Sequence, residues 1–455
     1  MISSKKRLWM LGHPLILASV LGAALLSPSQ SYGIPAFARK YQMECTMCHE
    51  PVPRLNEFGY KFRAAGFRLP SEIGKGEASD DYSNYIAARV VVSGTYQSTV
   101  GSDNNTGVNT TALNNINFGP AAIYPLCGAF GGHISAFSEF EFTPGEGIDI
   151  DNAFLRFTFG DTASFWSFRV GIFHPIEGYG ASDADAMLGA SSQLFPNSPA
   201  TTLVGGSPTS SLYSITAAET GIEAGWNADR LSVRAGIFNG GYADGSPLEF
   251  QSAVGGSLSK PMGTPSYNAK EYRLFANYML DEHGGSIAAY GFTGSIDLPN
   301  PATSVASDPA AMFPDRYNRY GVFATSPTFS GLKLLMGLGL GTDQEWISDP
   351  AILPFSGKVA DSTSSSMGYF GELDYRLDKD WSFGGRYDFF DPMTGTNYQN
   401  NEVNAISVFA NFCANNGLVV AAELMRQTTL EGVDSKNDPL KQNDYSATIR
   451  AFFIW

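Results

Sequence analysis

From residue 85 to its end the sequence repeats one theme: segments of eight to twelve residues in which apolar and polar side chains alternate. Connections rich in Gly, Asn, Asp, Pro and Ser part them. An extended chain points successive side chains to opposite faces, so each segment reads as a strand with one apolar and one polar face. In 331–341, Leu332, Leu334, Met336, Leu338 and Leu340 share one face, and Lys333, Gly337 and Gly339 the other. In 368–377, Tyr369, Leu373, Tyr375 and Leu377 oppose Glu372, Asp374 and Arg376. In 133–143, Ile134, Ala136, Phe140 and Phe142 oppose Ser135, Glu139 and Glu141. The last segment alternates Tyr445, Ala447, Ile449, Ala451, Phe453 and Trp455 with Ser446, Thr448 and Arg450.

About sixteen segments can be marked, the first near 86–97 and the next near 121–127, with 213–226 and 443–455 among the rest. Alternation alone fits either a soluble sandwich or a membrane barrel. The segments approach the ten or so residues that a tilted membrane strand needs. Their polar faces carry Glu, Asp, Arg and Gly, as a watery lumen would, and aromatic residues gather at strand ends. The chain also stops on an aromatic, Trp455, as outer-membrane barrels do. The expectation is an all-β fold, a transmembrane antiparallel β-barrel of about sixteen strands over 85–455. Composition agrees: 16 % charged residues, with 49 Gly, 32 Phe and 21 Tyr. The longer connections, near 100–118, 177–212, 240–268, 294–316 and 343–366, belong on the extracellular side. Glu146, Asp149, Asp151, Glu177, Asp183 and Asp185 cluster in loops, where carboxylates can bind hard cations or stay solvated.

Residues 1–33 form a signal peptide: Lys5, Lys6 and Arg7 precede the apolar run 15–26, and Ser31 and Gly33 offer a cleavage site before Ile34. The mature chain is therefore exported, with the outer membrane as its destination and outer-membrane lipid as a partner. Net charge is -15, which argues against a nucleic-acid partner.

Between signal and strands lies Cys45-Thr46-Met47-Cys48-His49. C-x-x-C-H is the attachment site of a c-type haem. Two thiols three residues apart add to the two porphyrin vinyl groups, and the following His49 supplies the proximal ligand to the iron. A redox dithiol would want a βαβ setting, and none is present. A zinc site would want a second ligand pair nearby, and no Cys or His follows until Cys127. The expected cofactor is one covalent haem c on Cys45 and Cys48. Met43 and Met47 lie too near the thioethers to reach the opposite face. His133, His174, His283 and Met187 are the candidate distal ligands, with His174 preferred for its place between a strand end and a Pro-containing turn. Cys127 and Cys413 could pair in an oxidising compartment or stay as thiols.

Phe58, Phe62, Ala65 and Leu69 recur at helical spacing, so 55–69 reads as a short amphipathic helix stopped by Pro70. Among the nearby basic residues, Arg54 and Lys61 are candidate partners for haem propionates, with a solvated basic face as the alternative. Residues 34–75 form a monohaem cytochrome c-like segment too short to build a core of its own. Something else must wall in the cofactor, and the barrel mouth is the candidate.

The stretch 34–70 resembles the amino terminus of the fused outer-membrane cytochrome–porins of iron-oxidising bacteria. The shared pattern is Pro35-x-Phe37-Ala38-Arg39, then C-x-x-C-H, then Pro53-x-Leu55-x-x-Phe58-Gly59. The stretch 166–187 is also similar to a strand-and-turn in relatives. The resemblance covers about a tenth of the chain by motif and the rest by architecture. It implies oxidation of extracellular Fe(II) and delivery of electrons to a periplasmic c-type cytochrome. Outward transfer to an extracellular acceptor, or a solute porin with a structural or sensory haem, are the alternatives.

Overall fold

The computed structural model describes residues 34–454, apart from 76–77, 79–80, 104–106, 119–120, 144–146, 175, 177–187, 191–202, 205–206, 209–214, 216–217, 240–269, 300–311, 345–362, 395–399, 415–416 and 434–438. Its main element is one antiparallel sheet closed on itself. In chain order the strands are β1 (Ala87–Asp103), β2 (Gly107–Phe118, continued by Ala121–Ala129), β3 (Ile134–Thr143), β4 (Gly147–Gly160) and β5 (Ser164–Phe173). Next come β6 (Glu219–Ala228), β7 (Leu231–Asn239), β8 (Lys270–Met279), β9 (Ser286–Pro299), β10 (Met312–Thr325) and β11 (Leu332–Gln344). The last are β12 (Ser364–Arg376), β13 (Trp381–Thr394), β14 (Asn400–Cys413), β15 (Leu418–Val433) and β16 (Pro439–Ile454). Each pairs with the next, and β1 closes the ring on β16 from Arg89↔Ile454 to Gly101↔Gln442. Among the described residues the barrel thus has sixteen strands, as the alternation implied.

Strands run into several of the expected connections, to Asp103 and Pro299 and back from Met312, and Asp149 and Asp151, expected in a loop, lie in β4; two further differences are larger. Residues 107–118, expected in a loop, are a strand. Asn and Thr crowd that stretch and Asn disfavours strands, but a continuous ladder from Val92↔Phe118 to Asp103↔Gly107 overrides local preference. The strand expected over 213–226 begins at Glu219, where pairing with Phe173 starts.

The turns at 130–133, 161–163, 229–230, 280–285, 326–331, 377–380 and 414–417 are short and share one end, while the longer connections share the other. Short turns mark the periplasmic end of such a barrel. The outward faces are apolar. Leu332, Leu334, Met336 and Leu338 are each about 40 to 50 % exposed along one strand, and Ile222 and Leu424 exceed that at 62 % and 60 %. Trp166, Trp226 and Trp381 sit near the short-turn end, as in an interfacial girdle. A belt of this extent cannot face water without aggregating. Closure leaves no unpaired backbone at its lipid face, so the chain is an outer-membrane barrel.

Among the described residues the inward positions are not all polar. Inward positions hold ion pairs, such as Arg169–Glu223 at 2.9 Å and Arg386–Asp388 at 2.5 Å. They also hold aromatic rings: Phe275, Tyr290, Phe292, Phe323, Phe370 and Phe390 form one buried cluster with Ile176 and Ile215 from the β5–β6 connection. Phe137, Phe154, Phe173 and Phe238 form a second.

Residues 34–75 fill the short-turn mouth. They carry α1 (Pro35–Tyr41), a 3-10 turn at Cys45–Met47, and α2 (Glu57–Ala64). Asn56 caps α2 by accepting from the Gly59 N–H at 2.9 Å, and Glu57 and Arg63 match the helix dipole at its two ends. The helix is shorter than the expected 55–69, because Gly66 (φ +81°) and Phe67 (φ +57°) turn the chain left-handed before Pro70. That turn delivers Phe67 to the wall, stacked on Phe137 at 5.1 Å and on Phe37 at 5.0 Å. Arg68 donates to the Gly131 and Ile134 carbonyls at 2.6 and 2.8 Å. Tyr60 joins the first aromatic cluster and Phe62 the second, so α2 divides its apolar side chains between them. Within the segment Phe37 and Tyr41 each pack on Phe62 at 5.4 Å, and these rings run on into the second barrel cluster. The signal peptide expected at 1–33 lies outside the described residues.

Candidate functional site

The C-x-x-C-H turn sits at the short-turn rim. Cys48 and His49 both donate backbone N–H bonds to the Cys45 carbonyl, at 3.0 and 2.9 Å, which coils the turn and puts the two thiols on neighbouring corners. The Cys48 carbonyl accepts from the Asn56 N–H at 2.8 Å, fastening the turn to the start of α2. His49 Nδ1 lies 2.6 Å from the Pro53 carbonyl. A carbonyl only accepts, so Nδ1 carries the proton and the lone pair of the neutral ring falls on Nε2. Metal-ligating histidines are oriented by this kind of second contact. Burial pushes the Cys48 thiol up to about 12.

Gly59 is placed by contact. A Cβ there would stand 2.3 Å from the Cys48 carbonyl oxygen and 2.9 Å from Leu55 Cδ2. The Gly59→Ala chain is expected to lose the Asn56–Cys48 bond and about 1–3 kcal/mol of segment docking, typical of overpacking. Proteolysis of the segment in folded barrels checks this: faster cleavage than in wild type is the expected result, and an unchanged rate contradicts it.

Cys45, Cys48 and His49 fall within one turn, with the imidazole oriented by its own chain, and this donor set fits a c-type haem. The other sequence candidates are placed as follows. Arg54 is turned into the wall, its guanidinium between the Glu372 and Asp374 carboxylates of β12. Its partners in the structure are thus two protein carboxylates. Lys61 pairs with Glu57 one helical turn back, at 2.7 Å. His174 lies at the long-loop end of β5, its Nε2 2.9 Å from Asp151. The structure does not bring His174 to His49, since β5 and the β12–β14 wall beside the turn are on opposite sides of the ring. His133 bonds the Thr158 carbonyl at 2.8 Å. His283 is nearer the motif: its Nδ1 is 2.6 Å from Glu50, the residue after His49. Met187 lies outside the described residues, as do Glu146, Glu177, Asp183 and Asp185. Cys127 and Cys413 do not pair. Cys127 donates to the Tyr85 carbonyl at 3.1 Å, while Cys413 lies within electrostatic reach of Cys45.

Sequence reasoning missed the clamp around the turn. Glu50 reaches both His283 and Arg376, the latter at 3.0 Å, and the Val52 carbonyl accepts from Asn411 at 3.2 Å. These partners are more than two hundred residues away, and no local pattern announces them. The Asn56 cap was missed as well, since the helix was expected to begin at residue 55, although an Asn just before a periodic apolar run is its usual signal.

No family model and no curated protein matches the sequence. Solved structures do. OmpT, an outer membrane protein of Vibrio cholerae, aligns at 12 % identity over 81 % of this chain and 99 % of that one, with a TM-score of 0.42. An anion-selective porin from Comamonas acidovorans aligns at 11 % identity over 81 % and 99 %, TM-score 0.47. The outer membrane channel DcaP of Acinetobacter baumannii aligns at 10 % over 83 % and 99 %, TM-score 0.45. Likenesses this distant do not bear on activity, and the barrel stands on its own ladder.

Proposed function

We propose that this outer-membrane barrel is an electron conduit: a haem c on Cys45 and Cys48 takes electrons from extracellular Fe(II) and delivers them to a periplasmic c-type cytochrome. The observation that carries the reading is the C-x-x-C-H turn, with His49 oriented by the Pro53 carbonyl at 2.6 Å, docked inside the mouth of a membrane barrel. A haem held there would supply one-electron chemistry. The chain's own residues do the rest. His49 presents Nε2 as the proximal donor. Gly59 lets α2 close on the turn, Arg54 anchors the segment to the wall, and the aromatic clusters exclude water. No donor among the described residues is assigned to the second axial position.

Two further features favour transfer over solute passage. Described side chains of the segment and of the lumen pack into two aromatic clusters, which narrow the way for a bulky organic solute. Thr46 and Met47 remain exposed at the periplasmic rim, where a soluble carrier can approach the attachment turn.

The test uses purified full-length protein in detergent. Addition of ferrous salt is expected to convert an oxidised c-type visible spectrum to the reduced one, and a periplasmic cytochrome is expected to reoxidise it. A purified barrel without covalent haem refutes the proposal outright. A haem that Fe(II) fails to reduce refutes the donor.

A further inference from the structure

Midway up the lumen, against the wall formed by β15, β16 and β1, lies a cavity of about 250 Å³. Thr95, Gln97, Gln427, Asp444, Ser446 and Thr448 line it, and none is basic. Glu423, Met425 and Ala190 complete it, the last brought in by the β5–β6 connection. That connection is pinned at both ends of the contact. The Ala190 N–H donates to Glu423, and the Gly189 carbonyl accepts from Arg450 at 2.9 Å.

Asp444 carries the argument. It is 9 % exposed, and its partners are the Thr99 hydroxyl and the Gln442 amide at 3.0 Å, both neutral donors. No cationic side chain among the described residues forms an ion pair with it. Glu423 differs, with Arg386 at 4.0 Å. A buried charge without a counter-charge is costly, and a fold that keeps one normally supplies the opposite charge from elsewhere. The cavity that Asp444 faces is where such a charge can sit.

The lining also sets the form of the cation. No group of three or more His, Cys, Asp or Glu among the described residues could grip a bare metal ion. The cavity instead offers hydroxyl, amide and carboxylate oxygens, which accept hydrogen bonds from metal-bound water. Small dications give up their waters reluctantly. At about 30 Å³ per water, six coordinated waters need roughly 180 Å³, less than the cavity provides.

We propose that this cavity binds a hydrated divalent cation through its water shell, with Asp444 as the counter-charge. Its position gives the site a use. Glu423 is four residues along β15 from Val419, the register partner of Cys413, or about 13 Å at ~3.3 Å per residue. Asn411, two residues from Cys413 on β14, donates to the Val52 carbonyl just beyond the C-x-x-C-H turn, at 3.2 Å. A role in feeding Fe(II) to the attachment turn rests on the function proposed above, but the binding does not.

The test therefore uses full-length barrels made without haem attachment, so that a missing haem and a missing cation site give different results. The probes are hexaamminecobalt(III), which is substitution-inert and binds only through its outer shell, and Mn(II). Calorimetry is expected to show one cobalt complex per wild-type barrel, displaced by Mn(II). Asp444→Asn should weaken binding roughly tenfold and Gln427→Glu should tighten it, while Asp161→Asn at a rim turn should leave it unchanged. No stoichiometric binding by wild type overturns the proposal. So does equal affinity in wild type and Gln427→Glu, a comparison that stands even if Asp444→Asn fails to fold.

Discussion

A Cys45→Ser, Cys48→Ser chain is expected to enter the outer membrane as a closed barrel and to carry no covalent haem. The two halves of that result have separate causes. The barrel is held by sixteen strands whose ladders do not involve the cysteines. Its lipid-facing belt is likewise untouched. On the function proposed above, haem attachment would depend on two thioethers, and serine cannot form them. The single variants refine the point. Each keeps one thiol beside His49 and should retain one thioether at most, visible as a shifted absorption band after denaturation in alkaline pyridine. His49→Ala keeps both thiols and removes the proximal donor, so it should keep covalent haem with an altered iron spectrum. Mass spectrometry of the intact chain supplies the check: the double variant should match the mass of the bare mature polypeptide. A double variant that still carries a covalent haem would remove the attachment site from the motif.

The barrel was legible in the sequence because its cause is local. Period-two alternation is imposed by the pleat on every strand, and Leu332 to Leu340 show it without reference to any partner. The C-x-x-C-H motif stands out for the same reason, since Cys45, Cys48 and His49 are a single local unit. Failures occurred where distant pairing decided the outcome. Asn114, Asn115 and Asn117 read as loop and became strand because β1 was there to pair with them. The Arg54 pairing with Glu372 and Asp374 went unread because both carboxylates stand more than three hundred residues away. Phe137 lies among Ser135, Glu139 and Glu141 on a face that reads as polar, yet it packs into the aromatic fill. The alternation tells which face a residue takes. What fills the space behind that face depends on which strands meet across it, and a single segment does not contain that information.

Arg54 is also the residue whose loss should release the segment. Its side chain is 6 % exposed, and the Glu372 and Asp374 side chains that flank it are 0 % and 5 % exposed. Arg54→Ala leaves those carboxylates buried with less compensation. Breaking a buried pair from one side costs about 3–5 kcal/mol, most of it the stranded charge. Part of this is spared, because Arg386 remains 3.4 Å from Glu372. The cost falls on docking, since the barrel ladders do not depend on Arg54. Two outcomes should appear together. Trypsin should cut the segment at Lys61 or Arg63 in otherwise intact barrels. In planar bilayers, variant channels should pass current in steps that the wild-type protein lacks. Adding Glu372→Gln and Asp374→Asn to Arg54→Ala removes the stranded charges and should restore much of the docking, a non-additive result expected of side chains that share one interaction. If Arg54→Ala barrels stay resistant to trypsin and closed to current, the anchor lies elsewhere, and the aromatic packing of Phe62 and Phe67 must hold the segment by itself.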